Sequence, residues 1–186
     1  MTSSVSICNN ALVALGEEPI NSLTETNRNA QACNQIYDGG RRHLLRTYPF
    51  KFAKTKRDLT PLVATPIANF QYAFQLPADL VRLIEVHGTN SWEVVGGELH
   101  TNMKNTTITY IFDNKNPNTY DPTFVEMFSR FIQAKIARRI TGSADEAKFA
   151  YSLFDIAWEQ AVALDSQESV GEQYGVYDDS LRKVRY

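Results

Sequence analysis

The chain has 186 residues, 43% of them hydrophobic and 22% charged, and a net charge of −2 at pH 7. That length suits one domain able to bury about two-thirds of its unfolded surface. The near-neutral balance argues against a surface built wholly for nucleic acid, and no apolar run approaches the ~20 residues that span a bilayer.

The polar start, Met-Thr-Ser-Ser-Val-Ser, lacks the basic region of a secretory signal, so none is expected. The first predicted element is a helix over 4–15, with Ser3 or Ser4 as N-cap. Cys8, Ala11, Leu12 and Leu15 recur at three- and four-residue spacing and form one apolar stripe. Gly16 stands where a left-handed cap is cheap only for glycine, and Pro19 prevents the helix from resuming.

A polar turn over 21–26 leads into a second predicted helix, 27–47. Its stripe reads Ala30, Cys33, Tyr37, Gly40, Leu44 and Thr47, broadened by Ile36 and Leu45. Gly39-Gly40 inside it costs about 1–2 kcal/mol relative to alanine. Two readings stand: a close helix crossing that admits no side chain, or a kink that a partner uses. Cys8 and Cys33 read as small buried thiols. A disulfide between them needs an oxidising setting, and two cysteines establish no framework.

Pro49 ends the second helix. Strands are predicted over 50–53, 72–76, 80–86, 92–95, 97–100 and 106–112. Tyr72, Phe74 and Leu76 alternate, as do Ile108, Tyr110 and Phe112, and Gly96-Gly97 signals a hairpin turn. Together they predict a small, mainly antiparallel sheet. After a loop over 114–121, Asp121-Pro122 opens a third helix that stops at Gly142. Ser143 to Glu146 is a capping box for a fourth. That helix carries Ala147, Ala150, Tyr151, Phe154, Ala157, Trp158 and Ala161 on one side and Phe149, Leu153 and Ile156 on another, which predicts burial by more than one neighbour. The third and fourth helices form an antiparallel hairpin.

The expected class is therefore α+β, a single domain over 1–186. It comprises a helical pair (1–48), a β-region (50–113), a helical hairpin (121–165) and a C-terminal arm (166–186). The arm is polar, with Tyr174, Tyr177 and Tyr186 interspersed and a basic end at Leu181, Arg182, Lys183, Val184 and Arg185, too little to form a core of its own.

No motif for catalysis is present. Gly39-Gly40 and Gly96-Gly97 lack the lysine and spacing of a phosphate loop, and no nucleophile elbow or His-Glu-x-x-His occurs. His43, His87 and His100 are scattered, so no metal or cofactor is expected. Glu17-Glu18 sits at a helix C-terminus, a poor place for negative charge, and reads as a solvated turn or a subunit contact. Charge is uneven. Arg28, Arg41, Arg42, Arg46, Lys51, Lys54, Lys56 and Arg57 face only Asp38 over 28–57, whereas Asp145, Glu146, Asp155, Glu159, Asp165, Glu168, Glu172, Asp178 and Asp179 face only Lys148 over 143–180. Three readings remain: solvated faces balancing one another, a head-to-tail contact between copies, or a basic segment on DNA.

Four phrases carry a resemblance. They are Ile7 to Ile20 with its Gly16-Glu17-Glu18-Pro19 stop; Ala30, Ile36-Tyr37, Arg41 and Leu44-Leu45-Arg46; Tyr48-Pro49-Phe50-Lys51-Phe52-Ala53; and Tyr72 to Arg82 with Leu76-Pro77-Ala78-Asp79. In that order they resemble the tail tubular protein A family, the head-tail adaptors of short-tailed bacteriophages. Relatives often have tryptophan where this chain has Phe50, and the loop over 114–120 matches none of the phrases.

The resemblance implies a structural virion protein made in the host cytoplasm, not an enzyme. It implies a ring, of twelve copies by analogy, between the portal protein and the tail nozzle, a tail tubular protein B type. Duplex DNA would pass through without sequence readout, tail fibres would be a further neighbour, and no membrane partner is expected. On this reading Tyr174, Tyr177, Leu181, Arg182, Lys183, Arg185 and Tyr186 form a portal-contact arm. Glu17, Glu18, Arg41, Arg42, Arg46, Asp155 and Glu159 make lateral ring contacts, and Trp92, Gly96 and Gly97 face the nozzle. The alternative function is a DNA-binding accessory protein of packaging or ejection.

Overall fold

The computed structural model describes residues 2–63 and 70–168. Among these, helices α1 (Ser4–Ala14), α2 (Arg28–Thr47), α3 (Pro122–Thr141) and α4 (Ala144–Gln167) form the body. Between α2 and α3 lie strands β1 (Lys54–Leu59), β2 (Tyr72–Gln75), β3 (Leu80–Val86), β4 (Trp92–Val95), β5 (Glu98–Thr101) and β6 (Thr106–Phe112). The class is α+β, as expected.

Local chemistry sets the helix ends. Ser3 and Ser6 cap each other's backbone at the start of α1. At its end Gly16 adopts φ 77°. The Gly16 and Glu17 N–H groups then donate to the Val13 and Leu12 carbonyls, each at 3.0 Å, which satisfies two otherwise orphaned acceptors. The chain folds back at once, and the Asn9 amide exchanges two 2.9 Å hydrogen bonds with the Ile20 backbone. Asn27 caps α2, Asp121 caps α3 ahead of Pro122, and Ser143 Oγ accepts from the Glu146 N–H at 3.2 Å to start α4.

Helix α3 is the hub and packs against α1, α2 and α4. Phe124 from α3 meets Phe50, Phe52 and Tyr120 edge-to-face, with Phe52 and Phe124 centroids 4.8 Å apart, and Phe128 packs tilted against Phe124. Phe124 is fully buried; truncating such a side chain to alanine costs about 3–5 kcal/mol.

The middle of the chain forms two three-stranded antiparallel sheets, ordered β1-β6-β3 and β2-β5-β4, rather than the expected one. Phe74, Leu99, Ile108 and Tyr110 share a small core between them. The expected strand over 50–53 is instead a 3-10 turn, Lys51–Ala53, because Phe50 and Ala53 both insert into the helical core. The strand comes one step later. Its residues, Lys-Thr-Lys-Arg-Asp-Leu, have no apolar alternation because β1 is a solvated edge strand whose lysines blunt further pairing.

Candidate functional site

Helix α4 does not have the second covering neighbour that its two apolar sides predict. Among the described residues it packs chiefly on α3, and only Ala150 and Ala161 are fully buried. Phe149 (57% exposed), Ile156 (55%) and Leu164 remain in water. Phe149, Leu153, Ile156, Gln160 and Ala163 follow four-three-four-three spacing along one side of the helix, with Leu164 beside the last of them, the pattern of a helix surface made to meet another. Alongside, Thr123, Glu126, Ala157, Gln160, Ala163 and Leu164 line a shallow groove of about 420 Å³. Glu146 and Glu159 border this side without an ion pair among the described residues, while Glu126 pairs with Arg130 at 2.8 Å.

The opposite flank of α4 faces a second feature. Gln35, Ile36, Gly39, Gly40, His43, Phe131 and Lys135 line a notch of about 230 Å³. It continues into a recess of about 270 Å³ walled by Tyr151, Asp155 and Trp158 of α4. The glycine pair creates it. A Cβ on Gly40 would lie 2.7 Å from the Phe131 ring, so the close-crossing reading holds there, whereas a Cβ on Gly39 would meet nothing within 4 Å. The floor is the Phe131 ring, with the Lys135 ammonium 5.2 Å from its centroid and 5.4 Å from that of Tyr151. Arg139 donates to Gln35 Oε1 at 2.9 Å on the rim.

Arg41 is not a surface residue. It is buried, its Nε donates to Asp113 Oδ1 at 2.9 Å, and its Nη1 donates to Asp38. Burial works against its charge, but the hydrogen bonds and fields of Asp113 and Asp38 outweigh burial and raise its pKa. It therefore joins α2 to the loop after β6 within one copy and offers nothing to another. Arg42 and Arg46 are exposed. Arg46 Nη1 donates to the Val81 carbonyl at 2.7 Å, and Arg82 Nη1 returns from β3 to the Arg46 and Thr47 carbonyls, capping α2. Asp155 walls the notch side of α4, and Glu159 is exposed on the same helix.

The other expected residues fall elsewhere. Glu17 Oε2 accepts from the Asn29 amide at 3.0 Å, tying the α1 turn to the start of α2, and Glu18 is exposed. Gly96 and Gly97, with φ of 59° and 87°, make the two-residue turn between β4 and β5, where Val95 stands opposite Glu98. Trp92 is exposed on β4, and Val94, which the sequence reading passed over, is exposed on the same face. Tyr174, Tyr177, Leu181, Arg182, Lys183, Arg185 and Tyr186 lie outside the described residues.

Cys8 and Cys33 are buried free thiols within hydrogen-bonding reach of one another. The bond with Cys33, then burial, pushes the Cys8 thiol well above its ordinary range. Among the described residues no group of three or more His, Cys, Asp or Glu side chains could hold a metal, and no helix is long and apolar enough to cross a membrane. No family model matches the chain, and no curated protein matches it.

Proposed function

We propose that this chain is a structural head-to-tail adaptor of a phage virion, forming a ring between portal and nozzle that lines part of the DNA ejection conduit. The observation that carries the reading on the structural side is α4. A long, well-capped helix that leaves a periodic apolar stripe in water is built to be covered by another protein surface. The order of the four sequence phrases supplies the kind of assembly. The exposed Trp92 and Val94 of the β4–β5 hairpin suit an axial contact with the nozzle. The segment 169–186 serves as the portal arm. Deleting 173–186 is expected to abolish co-sedimentation with portal rings while leaving helicity unchanged. Retained portal binding would remove the arm from the account.

A second reading draws on Lys54 and Lys56, exposed on edge strand β1 with no ion pair among the described residues. As an accessory DNA-binding surface they would give duplex affinity that falls steeply with salt. The absence of salt-dependent binding by the isolated chain would eliminate that reading.

A further inference from the structure

We infer that copies of this chain join head-to-tail, the outer stripe of α4 on one copy seating over the glycine notch between α2 and α4 of the next. The inference rests on the adaptor reading and assigns its lateral surfaces.

The two surfaces lie on opposite flanks of one helix. Phe149, Leu153, Ile156, Gln160 and Ala163 project about 150° around α4 from Tyr151, Asp155 and Trp158, which wall the notch side. A patch cannot contact itself across such a separation, so the contact is heterologous and propagates, closing into a ring where its rotation permits.

Shape and charge favour this pairing over the alternatives. The stripe presents protruding Phe149 and Ile156, and the notch is a concavity floored by Phe131 that Gly39 leaves without a side chain. Glu146 and Glu159 flank the stripe, whereas Lys135 lines the notch and Arg139 stands on its rim, against Asp155 alone. Pairing two α4 stripes would instead bring Glu146 and Glu159 of each copy together with no free cation of α4 between them, since Lys148 is paired with Asp145. A second copy of this chain, offered through its basic notch, is therefore the occupant.

Complementation between two damaged surfaces tests it. Ile156→Asp damages the stripe, with Phe149→Ser as a milder second variant, and Gly39→Leu fills the notch without meeting a neighbour at its Cβ. By sedimentation velocity up to millimolar concentration, the wild-type chain is expected to form species beyond the dimer. Each variant alone should associate at least about tenfold more weakly. An equimolar mixture of a stripe variant and the notch variant should stop at a dimer, since only one intact stripe and one intact notch can meet. The inference is overturned if the wild type stays monomeric at millimolar concentration, if either folded variant associates like the wild type, or if the mixture remains monomeric. Portal co-sedimentation is scored in parallel: loss of self-association with portal binding retained removes these surfaces alone, and loss of portal binding with self-association retained removes the adaptor reading alone.

Discussion

Gly40 and Phe131 are in contact closely enough to exclude a methyl group: a Cβ on Gly40 would stand 2.7 Å from the Phe131 ring. Phe131 is itself buried and packed edge-on to Phe154, so the ring has little room to yield. Gly40→Ala should therefore destabilise the fold by about 1–3 kcal/mol despite the better helix propensity of alanine. Gly39→Ala, one residue away, should stabilise it by up to about 1 kcal/mol. Urea midpoints of the two variants, moving in opposite directions, check the crossing geometry.

The buried Arg41 makes a second contrast. Asp113 holds it from a nearly buried position, while Asp38 is 80% exposed at its side chain. Asp113→Ala leaves a buried guanidinium short of its main partner and should cost about 3 kcal/mol or more. Asp38→Ala should cost less than about 1 kcal/mol. Equal losses in chemical denaturation would contradict the placement of Arg41.

Exposed apolar residues on α4 should be nearly silent in folding. Phe149→Ser and Ile156→Ser are expected to change monomer stability by no more than about 0.5 kcal/mol, whereas Phe124→Ala should lose about 3–5 kcal/mol. A large loss at Phe149 in thermal unfolding would mean that the stripe is already covered within one chain.

The thiols give a test across pH. Because the pKa of Cys8 is raised, its thiolate, which is the reactive form, becomes scarcer at any given pH than for an ordinary cysteine. A thiol reagent at pH 8 should leave Cys8 unmodified in the native protein, and both cysteines should react once the chain is unfolded. Rapid native labelling of Cys8 would contradict its buried, hydrogen-bonded position.

Much of the fold was legible from side chains that act locally. Ser3, Asn27, Asp121-Pro122 and Ser143 mark helix starts, and Gly16 and Gly142 mark stops, because capping depends on one or two residues. Strand β1 was not legible, since an edge strand of charged residues takes its structure from β6 and not from its own pattern. Arg41 was misplaced by its basic neighbours. Its spacing, four after Tyr37 and three before Leu44, puts it on the buried stripe, and Asp113, the partner that makes burial tolerable, is remote in sequence. On α4 the second apolar side was plain, but periodicity cannot say whether the covering surface belongs to the same chain. That gap leaves the candidate interface visible in sequence and its occupant invisible.

The adaptor account stands most directly on what this chain does beside a portal. Electron microscopy of the full chain mixed with the portal protein of the same virus measures stoichiometry and placement together. The account predicts a closed ring of this chain seated on one face of the portal around an open channel. Bare portals with the chain free in solution would contradict it.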